Sequence, residues 1–386
     1  MITGIVCEYN PFHNGHLYQI EKAKAMGADK IICVMSGNFV QRGECAFFDK
    51  HLRAKAAIMC GADVVIDLPT PWAMSSAETF ARGSIGLLLN FGIDALSFGC
   101  ESDDEDLLRS CAENLNNDET AGLIKKYTAE GVSYPSAVSK ALSDTLGDNA
   151  RDIISSPNNT LAVEYIRHLP ENIRLLPVKR QGADHDSDTA KEGIASASMI
   201  RNLGFSEDSF SFVPEKLLPL YKDAETYSLS FSERAILSSL RLMDKEDYVL
   251  YVSDSKGLDM RIYEATQKAT SLENLYSLAK SKNYTHSRIR REVLNIWLKI
   301  KKDYSEGTPP YMRILAVSEK GLSLLSGAKE NTSVPIITKY SETKNLEGKA
   351  KEIYEAECRN TDLFSLCTEK IRECATEKTN SLIIVK

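Results

Sequence analysis

Short apolar runs alternate with amphipathic segments along the N-terminal half of the chain. The runs have the length and composition of buried strands, and the segments between them repeat apolar residues at helical spacing, as Leu17, Ile20 and Ala23 do. The predicted strands are "TGIVCEY" (3–9), "DKIICVM" (29–35), "DVVIDLP" (63–69), "DALSFG" (94–99) and "IRLLPVKR" (173–180). The predicted helices are 16–27, 49–61, 76–92 and 158–169. This βαβα order predicts a parallel sheet with helices on both faces.

The pattern changes near residue 210, where helical segments joined by polar loops take over. They lie at 232–243, 269–281, 287–302 and 318–329, while 334–341 and the last six residues look extended. A chain of 386 residues suits about two domains. We therefore predict an α/β fold with a Rossmann-like N-terminal domain over residues 1–208, followed by a mainly α-helical domain over residues 209–386.

Composition narrows the class of protein. Hydrophobic residues make up 43% and charged residues 26%, which is typical of a globular protein. No apolar run reaches the ~20 residues that cross a bilayer, and no basic region precedes the first apolar run. We expect a cytoplasmic protein without a membrane partner. The nine cysteines form no CxxC pair, so neither a disulfide framework nor a metal site is expected.

The net charge of −7 argues against a nucleic-acid partner only when it is taken over the whole chain. Residues 279–302 contain eight basic residues and one acidic residue. A polyanion responds to such a local potential. The alternative interpretation is a solvated helix face, with Trp297 in the core.

The first strand-to-helix junction contains His13, Asn14, Gly15 and His16. Gly15 allows a ligand to approach the backbone closely, and a new helix offers free N–H groups and a positive dipole end. Both imidazoles can donate hydrogen bonds to phosphate oxygens and stabilise charge as pyrophosphate leaves. The alternative is that Asn14 only caps the helix and the histidines have no function.

Polar residues follow the other predicted strands as well. The carboxyl ends of parallel strands share one edge of a sheet, where ligands bind. We therefore expect these residues to surround one pocket. They are the glycine-rich loop 35–44, Gly99, Asn158 or Asn159 at a helix start, Arg180, and a Ser-rich segment with Ser196, Ser198 and Arg201.

Several of these segments resemble a known family. The HxGH motif together with the distal "SASMIR" resembles the HIGH nucleotidyltransferase superfamily. "GIVCEYNPFHNGH", "VMSGNFVQRGE", "GADVVIDLP", "SFGCES", "SPNNTLAVEY" and "PPYMRIL" resemble the tRNA(Met) cytidine acetate ligase family over nearly the whole chain. "SASMIR" departs from the fuller "SSTxIR" form at Ala197 and Met199, which weakens a side-chain role for this segment.

The resemblance implies an ATP site. His13 and His16 would be catalytic, and Mg²⁺ would accompany the phosphates. Asn159 is preferred to Asn158 because it directly precedes the helix, although the register stays open by one residue. The implied ATP-binding residues are Val6, Cys7, Glu8, Tyr9, Asn10, Pro11, Phe12, His13, Asn14, Gly15, His16, Gly99, Asn159, Arg180 and Ser198.

The resemblance also implies a reaction. Acetate and ATP would form acetyl-adenylate, which would acetylate the wobble cytidine of elongator tRNA(Met). Positional candidates for the acetate site are Asn38, Gln41 and Arg42. The candidates for tRNA binding are Lys282, Arg288, Arg290, Arg291 and Arg313. Two alternatives stay open, a small-molecule adenylyltransferase and a tRNA-binding protein whose nucleotide pocket is no longer active.

Overall fold

The protein is built around a central β-sheet. A computed structural model describes residues 1–180, 193–253 and 257–386. The strands of the described residues are β1 (Ile2–Cys7), β2 (Lys30–Ser36), β3 (Phe39–Val40), β4 (Glu44–Cys45), β5 (Val64–Leu68), β6 (Ala95–Cys100), β7 (Arg174–Lys179), β8 (Met312–Ser318), β9 (Ile336–Ile337) and β10 (Ile383–Val385). Eight of them form one sheet in the order β10-β8-β5-β2-β1-β6-β7, with β9 paired to β8, and β3 and β4 form a separate hairpin.

Helices connect the strands and form the remaining layers. In the first half they are α1 (Asn14–Ala25), α2 (Lys50–Met59), α3 (Thr70–Ala73), α4 (Ala77–Phe91), α5 (Glu105–Leu115), α6 (Asp118–Ala129), α7 (Tyr134–Leu146), α8 (Asp148–Ser155), α9 (Pro157–Arg167) and α10 (Ala197–Asn202). In the second half they are α11 (Glu207–Phe210), α12 (Leu218–Lys222), α13 (Glu233–Arg241), α14 (Leu258–Lys268), α15 (Leu272–Ala279), α16 (His286–Leu298), α17 (Glu319–Asn331), α18 (Gly348–Phe364) and α19 (Thr376–Thr379). Short 3₁₀ helices cover Glu215–Leu217, Leu229–Ser232, Lys245–Leu250 and Tyr340–Asn345.

Alternating side chains of the inner strands enter two different cores. On β2, Ile32 and Val34 pack with α4 and α9, whereas Ile31 and Cys33 pack with α1 and α2 on the opposite face. Strands β5, β2, β1, β6 and β7 are parallel neighbours in that order. The predicted α/β fold with a parallel sheet is confirmed. Because β1 connects to β2 on one side and lies beside the later β6 on the other, a cleft opens at the carboxyl ends of β1 and β6.

The sheet extends across the predicted domain boundary at residue 208. Strand β8 pairs with β5 in antiparallel orientation, and β10 and β9 pair with β8 in parallel orientation. The predicted extended segments near the C-terminus contain β9 and β10, but the sequence pattern did not indicate β8. The mainly helical second half therefore contributes three strands to the sheet of the first half. The division at 208 stays a prediction about domains, and it is not a boundary of the sheet.

Helix α4 packs closely over the short helix α3. A Cβ atom added to Gly83 of α4 would lie 2.4 Å from Cδ1 of Trp72 in α3. Trp72 is fully buried, so its indole cannot move away without disturbing the core. The packing therefore requires glycine at position 83.

A buried ionic cluster joins the two halves of the chain behind the sheet. Nζ of Lys50 on α2 lies 2.6 Å from a carboxylate oxygen of Asp67 and 2.7 Å from one of Glu377 on α19. Arg313 of β8 pairs with the same Glu377 at 3.3 Å and is 2% exposed. The prediction that Arg313 binds tRNA is therefore wrong, because its guanidinium is enclosed in this cluster and does not reach a surface.

None of the helices in the described part of the chain is both long and apolar enough to cross a bilayer.

Candidate active site

The cleft beyond β1 and β6 has two lobes that meet at His13 and His16. We call the larger one the aromatic lobe, because Phe80, Phe98 and Tyr165 form part of its wall. It encloses about 1150 Å³ up to its open mouth. The smaller one, the β7 lobe, encloses about 490 Å³ and is lined by Tyr18, Val178, Ile194 and Ala195. Both lobes also share Gln19, Gly99 and Arg180.

The two histidines are held as a stacked pair. Their ring centroids are 3.7 Å apart. Nδ1 of His13 accepts a hydrogen bond from the Gly15 N–H at 3.1 Å, and Nδ1 of His16 accepts one from the His13 N–H at 3.2 Å. A neutral imidazole has one donor nitrogen and one acceptor nitrogen. Both rings therefore carry their proton on Nε2, and both line the cleft.

Burial and nearby cations keep these imidazoles neutral. Burial, with Arg180 and Arg201 nearby, lowers the pKa of His13 to about 3. Burial and the neighbouring His13 and Arg180 lower the pKa of His16 well below its usual value. Near pH 7 the pair therefore presents Nε2–H donors without a formal charge, ready to stabilise negative charge that develops nearby.

The prediction that free N–H groups at the start of α1 bind phosphate is wrong. The first three N–H groups of the helix already have acceptors: Phe212 O for Asn14 at 2.9 Å, His13 Nδ1 for Gly15, and His13 O for His16 at 2.9 Å. His13 thus caps the helix with its own side chain. The anion-binding capacity of this junction lies in the imidazole Nε2–H groups and the arginines.

Two arginines supply positive charge around the histidines. Arg180 extends from the end of β7 and lines both lobes. Arg201 of α10 lines the aromatic lobe and donates to the carbonyl oxygen of Asn10 at 2.8 Å. Ser198 also lines this lobe, and its hydroxyl bonds to that of Ser196 at 3.0 Å. The structure therefore brings Arg180, Ser198 and Arg201 together with the histidines.

The structure places Asn158, and not the preferred Asn159, in the wall of the aromatic lobe. Asn158 lines the aromatic lobe and donates to Glu101 at 2.5 Å. Asn159 is 2% exposed, and its amide oxygen accepts the N–H groups of Glu101 and Ser102 at 2.9 and 3.2 Å. Asn159 thus fixes the loop after β6, and Asn158 is the asparagine that a ligand can reach. Gly99 lines both lobes, as expected.

Some of residues 6–16 line the cleft, and others are buried in the core or support the site. Val6, Cys7, Glu8, Tyr9, Asn10, His13 and His16 line the aromatic lobe, and Gly15 lines the β7 lobe. Pro11 and Phe12 are buried, and Phe12 belongs to the core under α1 and α2. The Asn14 side chain donates to the carbonyls of Gly193 and Ser211, at 3.0 Å each. Pro11, Phe12 and Asn14 therefore support the site and are not placed to contact a ligand.

Of the three candidates for the acetate site, two line the aromatic lobe and the third is buried. Gln41 and Arg42, in the β3–β4 hairpin, line the aromatic lobe. Asn38 is buried, accepts the Lys50 N–H at 3.0 Å and donates to Thr361 at 3.4 Å. Its amide holds the hairpin to the buried ionic cluster, so Asn38 is not an acetate ligand in this arrangement.

The sequence pattern does not predict the apolar wall of the aromatic lobe. Phe80 and Phe98 are each 3% exposed and Tyr165 is 6% exposed, and Leu161 completes the wall. A second missed residue is Arg53, fully buried, which donates to the carbonyls of Glu8, Ser36 and Gly37. It fixes the ends of β1 and β2 where the cleft begins.

The basic helix α16 contacts the hairpin that borders the cleft. Arg290 pairs with Glu44 at 3.1 Å and Glu273 at 3.2 Å, and Arg291 donates to the Gln41 carbonyl at 3.1 Å. Gly43 has a φ of +76°, and a Cβ there would lie 2.6 Å from the Arg291 nitrogen. The helix backbone and the hairpin turn are thus in direct contact.

Exposure varies along this helix and the loop before it. Lys282 is exposed, Arg288 and Arg290 are each 30% exposed, and burial lowers the pKa of Arg291 to about 10. Trp297 is buried, as the alternative interpretation expected.

No group of three or more histidine, cysteine or carboxylate side chains that could hold a metal ion occurs in the described ranges. Among the described residues, the polar groups that line the cleft are imidazole, guanidinium, amide, hydroxyl and thiol groups and one carboxylate, that of Glu8.

This fold and this site define a protein of the HIGH nucleotidyltransferase class, and a family model described as HIGH Nucleotidyl Transferase matches residues 1–379. Curated relatives named tRNA(Met) cytidine acetate ligase include one from Clostridium perfringens, 35% identical over 96% of each chain, and one from Acetivibrio thermocellus, 34% identical over the full length of both. The chain therefore belongs to the tRNA(Met) cytidine acetate ligase family within that class.

Solved structures agree with this assignment. The apo crystal structure of Thermotoga maritima TmcAL matches with a TM-score of 0.91 at 29% identity, covering 100% of both chains. The same protein bound with alpha-thio ATP matches with a TM-score of 0.90 at 29% identity, covering 99% of both chains.

Proposed function

We propose that this protein is an ATP-dependent ligase that converts acetate to acetyl-adenylate and transfers the acetyl group to the wobble cytidine of elongator tRNA(Met). The observation that carries the proposal is the stacked His13–His16 pair, whose imidazoles line a cleft that also contains Arg180 and Arg201. The names of the curated relatives and the alpha-thio ATP ligand of the T. maritima structure support the same activity.

In the first step a carboxylate oxygen of acetate attacks the α-phosphorus of ATP and pyrophosphate leaves. The protein contributes by holding the reactants in line and by stabilising charge. We assign charge stabilisation to His13, His16, Arg180 and Arg201, because guanidinium groups bind phosphate oxygens strongly. The β7 lobe, with Gly99 at its junction with the aromatic lobe, has apolar walls suited to the nucleoside.

In the second step the exocyclic amine of cytidine attacks the acetyl carbon and AMP leaves. We expect Mg²⁺ to arrive with the phosphates of ATP, since the described residues contain no cluster able to hold it and phosphate-bound Mg²⁺ needs few protein ligands. We expect the reaction to take place in the cytoplasm, where tRNA and ATP are found.

For the tRNA we propose the surface formed by Lys282, Arg288, Arg290 and Arg291. Its supporting feature is position, since α16 contacts the hairpin carrying Gln41 and Arg42 at the cleft. An anticodon loop bound here would have its bases close to the aromatic lobe. Binding requires phosphates to compete with Glu44 and Glu273 for Arg290, and partly exposed ion pairs of this kind contribute only ~0–1 kcal/mol each.

The test is pyrophosphate formation from ATP, measured with acetate alone and then with tRNA. Acetate-dependent exchange between pyrophosphate and ATP, followed by labelling of elongator tRNA(Met) from ¹⁴C-acetate, is the expected result. Exchange that depends on a phosphorylated small molecule instead would establish the adenylyltransferase alternative. RNA binding without any exchange would establish a tRNA-binding protein with an inactive pocket.

A further inference from the structure

The charges lining the aromatic lobe are unevenly distributed. Arg42, Arg180 and Arg201 are basic, and Glu8 is the one acidic side chain among the described residues of its lining. A carboxylate raises the energy of a triphosphate placed beside it, because like charges repel strongly where water is excluded. Glu8 is therefore poorly suited to ATP and well suited to a neutral partner that donates hydrogen bonds.

One of the two oxygens of the Glu8 carboxylate is held by a hydrogen bond from the protein. Oε1 accepts the Gln41 N–H at 2.9 Å, whereas Oε2 has no hydrogen-bond partner among the described residues. Arg53 holds the Glu8 carbonyl, so the backbone of this residue is anchored at the end of β1. One oxygen thus remains available to a ligand at a defined place in the lobe.

Three largely buried aromatic side chains present their edges to the same lobe. Phe80, Phe98 and Tyr165 come from α4, β6 and α9 and border the same lobe as Glu8. Aromatic side chains stack on unpaired bases, and a carboxylate that accepts from N4 is the usual protein contact to cytosine. A uracil offers an acceptor oxygen at the corresponding position and would be repelled.

We propose that the aromatic lobe receives the target cytosine and that Glu8 Oε2 accepts a hydrogen bond from its N4 amine and then takes the N4 proton during acetyl transfer. The inference rests on the proposed function and assigns a binding place and a general base to its second step. The acyl phosphate would lie at the histidine pair, between the nucleoside in the β7 lobe and the base in the aromatic lobe.

The step balances without a further reactant. The N4 lone pair forms the new C–N bond to the acetyl carbon. The bond between that carbon and the AMP phosphate oxygen breaks, and its electron pair leaves with AMP. The N4 proton passes to Glu8 and then to solvent. Correctly placed general bases contribute about 10²–10⁴-fold to such steps.

The test uses Glu8→Gln, whose amide oxygen can still accept the Gln41 N–H. For each protein the single-turnover rate of acetyl transfer to tRNA is divided by the rate of acetate-dependent ATP–pyrophosphate exchange. We expect this ratio to fall about 100-fold or more in Glu8→Gln. Glu21→Gln, the same change on the exposed side of α1, is the matched control and should keep the native ratio. A native ratio in Glu8→Gln would overturn the role as base.

A binding measurement tests the cytosine contact separately from catalysis. Native protein should bind an anticodon stem-loop with cytidine at the target position about ten-fold or more tightly than one with uridine, because each good base contact gives discrimination of this order. Glu8→Gln should lose most of this preference, since an amide can also donate to uracil. An unchanged preference would show that the base is recognised elsewhere. Missing acetate-dependent exchange in the native protein would instead contradict the proposed function.

Discussion

Glu377 in the buried ionic cluster allows a quantitative prediction. Its side chain is 1% exposed and lies 2.7 Å from Lys50 Nζ and 3.3 Å from Arg313 Nε. Burial alone would raise the pKa of this carboxyl, but Lys50, His51 and Arg313 lower it from 4.5 to about 2. The substitution Glu377→Gln keeps the size of the side chain and leaves two buried cations short of an anion.

The difference between the usual pKa of Glu377 and its pKa in the folded protein gives the size of its contribution to folding. Each pKa unit corresponds to about 1.4 kcal/mol, so ionised Glu377 contributes on the order of 3 kcal/mol to folding. Loss of one member of a buried pair typically costs ~3–5 kcal/mol. Because the folded pKa is the lower one, the contribution is complete above about pH 4.5 and disappears as pH falls through about 2. Glu377→Gln should therefore be less stable by about 3 kcal/mol throughout pH 5–8.

Glu357, a buried carboxylate close enough to Lys50 to be affected by its charge, serves as the matched control, because its ionised form contributes to folding with the opposite sign. Burial raises its pKa from 4.5 to about 7, with Lys50 opposing the rise. Its ionised form therefore disfavours folding above pH 7, and the cost vanishes as pH falls to about 4.5. Glu357→Gln keeps an acceptor oxygen for the Thr70 N–H, and its amide N–H can donate to the Thr70 hydroxyl. It should match or exceed native stability at pH 8, by up to roughly 3 kcal/mol, and approach it at pH 5.

Urea unfolding at pH 5 and pH 8 measures both variants, and the fluorescence of the buried Trp72 and Trp297 reports the transition. The reasoning is refuted if Glu377→Gln lies within ~1 kcal/mol of the native protein at both pH values, since a buried pair should cost more. It is equally refuted if both variants lose the same stability at pH 8, because the two carboxyls would then not differ in the sign of their contribution.

Four further substitutions test the site and the packing that supports it. His16→Ala should lower acetate-dependent ATP–pyrophosphate exchange about 100-fold or more while tRNA retention in filter binding persists; near-native exchange would contradict the assigned role. Gly83→Ala should cost ~1–3 kcal/mol in urea unfolding through overpacking against Trp72, and an unchanged midpoint would show that the indole can move. Asn159→Ala should lower stability by ~1–3 kcal/mol, because it leaves two partly buried N–H groups of the loop after β6 without their acceptor. Asn158→Ala should leave stability near native, because this side chain lines the aromatic lobe, and a larger loss of stability than in Asn159→Ala would restore the other register.

The central strands and the histidine junction could be predicted from the sequence because their signals are local. Five apolar runs of strand length became β1, β2, β5, β6 and β7. Parallel strands bring their carboxyl ends to one edge, so the sequence alone predicts Gly99, Arg180 and Ser198 beside the histidines. The family resemblance supplied the reaction.

Other features depend on contacts between distant parts of the chain. Phe80, Phe98 and Tyr165 each have the pattern of a core residue in their own element, and only tertiary structure turns them toward one lobe. Arg53 is a charged residue on the buried side of α2, where hydropathy predicts apolar residues. The side-chain directions of Asn158 and Asn159 follow from the rotation of α9, which residue types alone do not fix.

The antiparallel pairing of β5 with β8 has a consequence for synthesis on the ribosome. Val64 and Val317 are partners although about 250 positions separate them, and contacts of such long range form late. At roughly 5–20 residues per second, the nascent chain carries β5 with an unpaired apolar edge for about 10–50 seconds before β8 emerges. Such an edge can pair with other chains. We therefore expect newly made protein to depend on chaperones during this interval, and fragments that stop before β8 to aggregate.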